Sequence, residues 1–111
     1  MLQEFADTFE STPVQRKMME RMMGMEVKRA ASAGTNVSND IVIEVTPARE
    51  GIHIELDSCM EKLYGNTIRA VIRRTVESLG VTAVNIKAVD TGALDYTIEA
   101  RVETAIRRAC Q

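Results

Sequence analysis

The chain has no tryptophan, and aromatic residues make up only 4% of its 111 residues, so any core must be aliphatic. It has two cysteines, Cys59 and Cys110, far apart and in no Cys-x-x-Cys arrangement; this favours reduced thiols over a disulfide or a thiolate metal site. It has one histidine, His53, so chemistry that needs a pair of imidazoles is excluded. No run of about 18 apolar residues occurs, which excludes a membrane-spanning helix. The opening Met1-Leu2-Gln3-Glu4-Phe5-Ala6-Asp7 lacks the charged start and apolar stretch of a signal peptide, and a cytoplasmic location is expected. Lys and Arg number 14 against 16 Asp and Glu, a formal charge of -2; there is no basic excess of the kind a general nucleic-acid binder needs. What is present is a 45% hydrophobic and 27% charged chain of single-domain length, able to fold around one core.

Three regions follow from the patterning. Residues 1–24 form an extension. Within it residues 14–23 read as a short helix, with Pro13 at its start and Met18, Met19, Met22 and Met23 at helical spacing. It is either a helix that covers apolar surface, a Met-rich docking helix, or a segment foreign to the domain. Residues 25–39 are rich in small and polar residues, among them Ala30, Ala31, Gly34, Asn36, Ser38 and Asn39, and read as an exposed, flexible arm. Residues 40–111 form the compact domain.

In that domain Ile41, Val42, Ile43 and Val45 read as a β-branched strand, closed by Pro47. Ile52-His53-Ile54-Glu55-Leu56-Asp57 alternates as a half-buried strand, near enough to form a hairpin with the first. Met60, Leu63, Tyr64, Ile68, Val71, Ile72, Val76 and Leu79 then make one helical stripe, opened by a Ser58/Glu61 capping box and stopped at Gly80. Val84, Ile86 and Ala88 alternate as a third strand. After the turn Asp90-Thr91-Gly92, Leu94, Tyr96, Ile98 and Ala100 alternate as a fourth. Val102, Ala105, Ile106 and Ala109 fit a short closing helix. The predicted fold is therefore α+β: a two-layer α/β sandwich in ββαββα order, with a mainly antiparallel four-stranded sheet covered on one face by helices.

Catalytic groups are scarce. His53 and Glu55 share the polar face of a strand, where solvation accounts for both without a proton-transfer role. Cys59 follows Ser58 at a helix start but has no histidine base beside it. Arg69 and Arg73, one turn apart, have the spacing to hold a phosphate, and equally that of ordinary helix surface. No His-x-x-x-His, no Walker-type loop and no Gly-x-Gly-x-x-Gly occurs. The inventory describes a small, non-catalytic domain that serves another protein. Two serines stand out as acceptors of a borrowed group. Ser38 lies in Asn36-Val37-Ser38-Asn39-Asp40, where a modifying enzyme can reach it. Ser58 lies in Asp57-Ser58-Cys59-Met60, where helix capping accounts for it.

From Ala33 onward the chain resembles the citrate lyase acyl carrier protein family, the γ subunit of that complex. The resemblance covers roughly residues 25–109. It is carried by Ala33-Gly34-Thr35, Ser38, Asp40, Glu61-Lys62, Gly65, Ile68-Arg69, Gly92-Ala93-Leu94-Asp95, Ala100-Arg101 and Glu103. It implies a subunit without catalysis of its own. Its covalently attached cofactor would be triphosphoribosyl-dephospho-coenzyme A, joined to a serine through a phosphodiester. Its partners would be the α (acyl transferase) and β (lyase) subunits and a prosthetic-group transferase, with no nucleic acid and no membrane. The group would carry acetyl and citryl thioesters between those subunits. Ser38 occupies the place of the modified serine. Val37 and Asn39 stand where the family has Glu and Gly, and Asn is among the residues that best tolerate positive φ. Family chains begin at a methionine aligned with Met25, so Met25 is the expected start and residues 1–24 an over-called extension. The carrier subunit of malonate decarboxylase, which uses the same group, is the alternative within this chemistry, and a cofactor-free assembly module the alternative outside it.

Overall fold

The computed structural model describes residues 24–111, so the short helix expected at residues 14–23 lies outside the described residues. The elements are β1 (Ala31–Gly34), β2 (Ile41–Thr46), β3 (Gly51–Ser58), α1 (Glu61–Ser78), β4 (Ala83–Asp90) and α2 (Asp95–Ala109). The four strands form one sheet in the order β1-β2-β4-β3. β2 runs antiparallel to both β1 and β4, and β3 runs parallel to β4. Both helices pack on one face.

The core follows from strand alternation and one helical stripe. Ile41, Ile43 and Val45 of β2 and Val84, Ile86 and Ala88 of β4 point into the core and are buried, as are Ile68, Val71, Ile72 and Val76 of α1. From α2, Ile98, Val102, Ala105, Ile106 and Ala109 complete it, a spacing of four, three, one and three residues along one helix face. On the other face of the sheet Glu44, His53, Glu55, Asn85 and Lys87 are exposed. Gly80 ends α1 as expected: its φ is +76°, and its N–H donates to the Glu77 carbonyl at 3.0 Å.

The α+β class, a four-stranded sheet and the helix layer are as the sequence predicts, but the element order is βββαβα, and three details are corrected. Residues 31–34, expected to be a flexible arm, form edge strand β1. Its residues are too small to show alternation; β2 pairs with it and α2 covers buried Ala33. The segment before it is tied down by the N–H groups of Lys28 and Arg29, both donating to the Ala109 carbonyl. Leu94 through Ala100, expected to be a strand, are instead the capping residue, Leu94, and the first turns of α2. Ile98 fits both periods, but Leu94 and Tyr96 are exposed, and the true apolar face continues through Val102. Finally, β2 and β3 do not form a hairpin. The apolar strand β4 takes the place between them, and α1 returns the chain so that β3 and β4 run parallel. The half-buried β3, with three charged or histidine side chains in water, is left at the edge.

Candidate functional site

Ser38 lies in the turn of the β1–β2 hairpin. Two backbone conformations shape this turn. Gly34 has φ +98°, and a β-carbon there would lie 1.8 Å from the Ile41 carbonyl oxygen. Asn39 has φ +65°, the left-handed conformation that its side chain tolerates better than most. Ser38 itself is exposed, and its hydroxyl has no hydrogen-bond partner among the described residues.

The turn is held from three sides. The Asn39 N–H donates to the Thr91 carbonyl at 2.8 Å, and the Thr91 N–H donates to the Asp40 carbonyl at 3.0 Å. Thr91 Oγ1 lies 2.5 Å from the Val37 carbonyl oxygen and 2.9 Å from that of Asp40, so one hydroxyl proton is shared between the ends of the turn. Beneath them the carboxylate of Asp40, only 6% exposed, is fully engaged. Its Oδ1 accepts from the Ile41 N–H (2.8 Å) and Arg101 Nε (3.1 Å). Its Oδ2 accepts from the Thr35 N–H (3.1 Å), Thr35 Oγ1 (2.5 Å) and Arg101 Nη2 (3.0 Å). Arg101 reaches this point from α2, in the two-pronged geometry that makes guanidinium–carboxylate pairs strong.

The Arg101 fork holds the Asp40 carboxyl far below the usual carboxylate range, helped by Thr35 and the Ile41 N–H and opposed only by burial. The linkage has a definite sign. The folded protein binds the proton less readily than the unfolded chain, so Asp40 adds stability above its ordinary pKa of 3.8 and loses it as pH falls below that value. Urea unfolding measured from about pH 6 down to pH 2 is expected to show an acid loss of stability in the parent, and a distinctly shallower loss in Asp40→Asn, which starts less stable at neutral pH. Equal slopes would contradict the clamp.

A second buried carboxylate, Asp90, sits opposite Ile41 and gathers the neighbouring loops. Its Oδ2 accepts from the Ser58 hydroxyl at 2.8 Å. Its Oδ1 accepts from the N–H groups of Gly92 (3.2 Å) and Ala93 (2.9 Å). The Ser58 oxygen in turn accepts from the Met60 N–H at 3.0 Å. Ser58 is thus a structural tie and not the helix cap expected from its spacing to Glu61: α1 starts at Glu61 with Met60 in the capping position and no side-chain cap. Glu61 pairs instead with Arg69, passing over Gly65 where a β-carbon would obstruct it.

The other candidates are dispersed. His53 Nε2 donates to the Glu50 carbonyl at 2.9 Å on the open sheet face. It lies beside Asn85, five register steps along β4 from Asp90, roughly 17 Å away. Arg69 is taken by Glu61, and Arg73 Nη2 lies 3.3 Å from the Ile52 carbonyl oxygen, so the two do not form an anion pair. Cys59 is exposed; burial raises the pKa of the half-buried Cys110. Both thiols are free, and the described residues contain no cluster able to hold a metal. No described helix is long and apolar enough to cross a membrane.

The hairpin turn, the start of α1 and the start of α2 meet at one end of the sheet. Large apolar side chains remain exposed on all three: Val37; Leu63 and Tyr64, which the helical stripe was expected to bury; and Leu94 and Tyr96. Ser38, the acceptor expected from the sequence, and Asn39, expected to tolerate positive φ, both lie in this turn. Asp40 and Arg101 carried only the family resemblance, and Thr91 was expected only as a turn residue. No local pattern could have joined Asp40 to Arg101, because 61 residues separate them.

Comparison with known proteins gives this architecture its class. Residues 28–109 match the ACP family described as "Malonate decarboxylase delta subunit (MdcD)". The same fold occurs in a solved structure, a Pseudomonas malonate decarboxylase hetero-tetramer in complex with malonate. The TM-score is 0.66 at 18% identity, over 78% of this chain and 89% of that one. The class is therefore the acyl carrier proteins of this α+β type, non-catalytic subunits that work through a covalently attached prosthetic group. Two relatives narrow it. The citrate lyase acyl carrier protein of Halothermothrix orenii is 54% identical over 85 residues, 77% of this chain and 90% of the relative. That of Streptococcus uberis is 49% identical over 85 residues, 77% and 84%. The chain belongs to the citrate lyase acyl carrier protein family.

Proposed function

We propose that this chain is the acyl carrier subunit of citrate lyase and that Ser38 is its attachment residue. The observation that carries the reading is the contrast between the two candidate serines. Ser38 presents an unengaged hydroxyl to solvent on an anchored turn, whereas the Ser58 hydroxyl is tied to Asp90 and Met60. The exposed turn suits a phosphodiester formed from triphosphoribosyl-dephospho-coenzyme A with loss of pyrophosphate, which leaves a phosphoribosyl-dephospho-coenzyme A group on Ser38; when bound, that group supplies the thiol that carries acetyl and citryl groups. The chain's own residues position the attachment point. Arg101 and Thr35 hold Asp40, Thr91 holds both ends of the turn, and the hairpin projects Ser38 away from the core. Partners of this subunit are the α and β subunits of the lyase and the transferase that modifies Ser38. A tether fixed at one serine makes each delivery intramolecular, so the carrier needs no acid or base of its own.

Malonate decarboxylase is the second reading, supported by the description of the matched family and by the shared fold. The half-identical relatives named for citrate lyase favour the first. Intact and peptide mass spectrometry on the chain from cells that also make the transferase tests the assignment. A mass increase equal to the prosthetic group, on the peptide holding Ser38, is expected. An adduct on Ser58, or none, would overturn it.

A further inference from the structure

We propose that Arg101 is a positioning residue for the modification of Ser38, and that the modifying enzyme reads a folded turn and not the linear sequence around the serine. The inference rests on the assignment of Ser38 and extends it to what the transferase recognises. Asn36-Val37-Ser38-Asn39 offers no charged side chain for sequence-specific recognition. What distinguishes the turn is its shape: Asn39 in the left-handed region, the Asp40 N–H on the Val37 carbonyl, and the Thr91 bridge across both ends. That shape depends on Asp40, and Asp40 is held by a fork from α2, a helix that begins 57 residues after Ser38.

The chemistry makes orientation matter. The Ser38 hydroxyl oxygen forms a new bond to the innermost phosphorus of the triphosphate donor. The bond from that phosphorus to its bridging oxygen breaks, pyrophosphate leaves, and the serine proton passes to a base on the transferase. In-line attack requires the oxygen within a few tenths of an ångström of its place. A turn that occupies the accepted conformation only a fraction of the time binds more weakly in proportion to that fraction, while turnover at saturation is unchanged. Arg101 therefore acts through Asp40 on the apparent affinity of the transferase for its protein substrate.

The test uses the apo chain, the transferase and its triphosphate donor, with initial rates of adduct formation read by intact mass. Arg101→Gln, shown by circular dichroism to be folded at the assay temperature, is expected to raise the KM for the carrier at least tenfold with kcat little changed. Arg101→Lys, which keeps the charge but not the fork, is expected to fall between. Hydrogen exchange should show faster loss of protection at the Asn39 amide in the glutamine variant. A synthetic peptide of residues 30–46 is expected to be a poor substrate, and this arm decides the question if Arg101→Gln does not fold. A folded Arg101→Gln chain modified with parental KM, or a peptide modified as readily as the whole chain, would overturn the proposal while leaving Ser38 as the acceptor. A parent chain that takes no adduct on Ser38 would remove both readings.

Discussion

Replacing Ser38 with alanine is expected to leave the chain folded, to abolish the covalent adduct, and to reduce citrate cleavage by the assembled complex to background. The side chain is exposed and makes no hydrogen bond among the described residues, so its loss should change stability by no more than about 0.5 kcal/mol. The functional effect is all or nothing because the serine is the only covalent route in the proposal: without it no thiol is tethered, and a free thiol in solution lacks the effective concentration that tethering confers. Ser58→Ala is the informative control. It leaves a buried Asp90 oxygen without its hydroxyl donor, at a cost of about 1–3 kcal/mol, yet should still accept the group on Ser38. Urea unfolding and intact mass, run on both variants, separate the two roles. Citrate cleavage undiminished in Ser38→Ala would refute the carrier mechanism.

The parts of this molecule that could be read from sequence are those whose information is local. α1 announces itself by a stripe from Ile68 to Leu79 and a glycine stop, and β2 and β4 by alternating β-branched residues. Failures occurred where long-range contacts decide. β1 has four small residues and no period, and exists because β2 offers an edge and α2 offers cover. The start of α2 alternates by accident: Leu94, Tyr96 and Ile98 mimic a strand, but only Ile98 is buried. The same division holds at the site. The positive φ of Asn39 was accessible through residue chemistry, and the proposal of Ser38 beside it comes from the resemblance. The clamp that shapes their turn joins residues from the hairpin, from β4's exit and from α2, and becomes visible only once the fold has brought them together. Exposure of Leu63 and Tyr64 was likewise invisible, since helical spacing states which residues share a face and not how far along the helix that face stays covered.

Gly34→Ala should produce the largest loss of stability of any single methyl added to this domain's described glycines. The backbone φ of +98° is disfavoured for any residue with a β-carbon, which costs about 1–3 kcal/mol. The methyl would also stand 1.8 Å from the Ile41 carbonyl oxygen, 2.9 Å from its carbon and 3.3 Å from the Val42 Cα, all backbone atoms of β2 that cannot swing aside. Overpacking of this kind adds a further 1–3 kcal/mol or so. A sum of about 2–6 kcal/mol, against the 5–15 kcal/mol or so that holds a small domain together, lowers Tm by roughly 10–45 °C. Because the strain falls at the root of the hairpin, Gly34→Ala should also disturb the turn that carries Ser38. Gly65→Ala makes the contrast. Its β-carbon would meet Glu61 Oε1 at 2.8 Å, but that atom ends a flexible side chain that can move. The helix-propensity gain of about 1 kcal/mol offsets the lost Glu61–Arg69 contact. Thermal unfolding of the two variants side by side should therefore show a large drop for residue 34 and little change for residue 65. Equal, small shifts would mean that β1 and β2 do not approach each other at Gly34 as closely as the hairpin geometry requires.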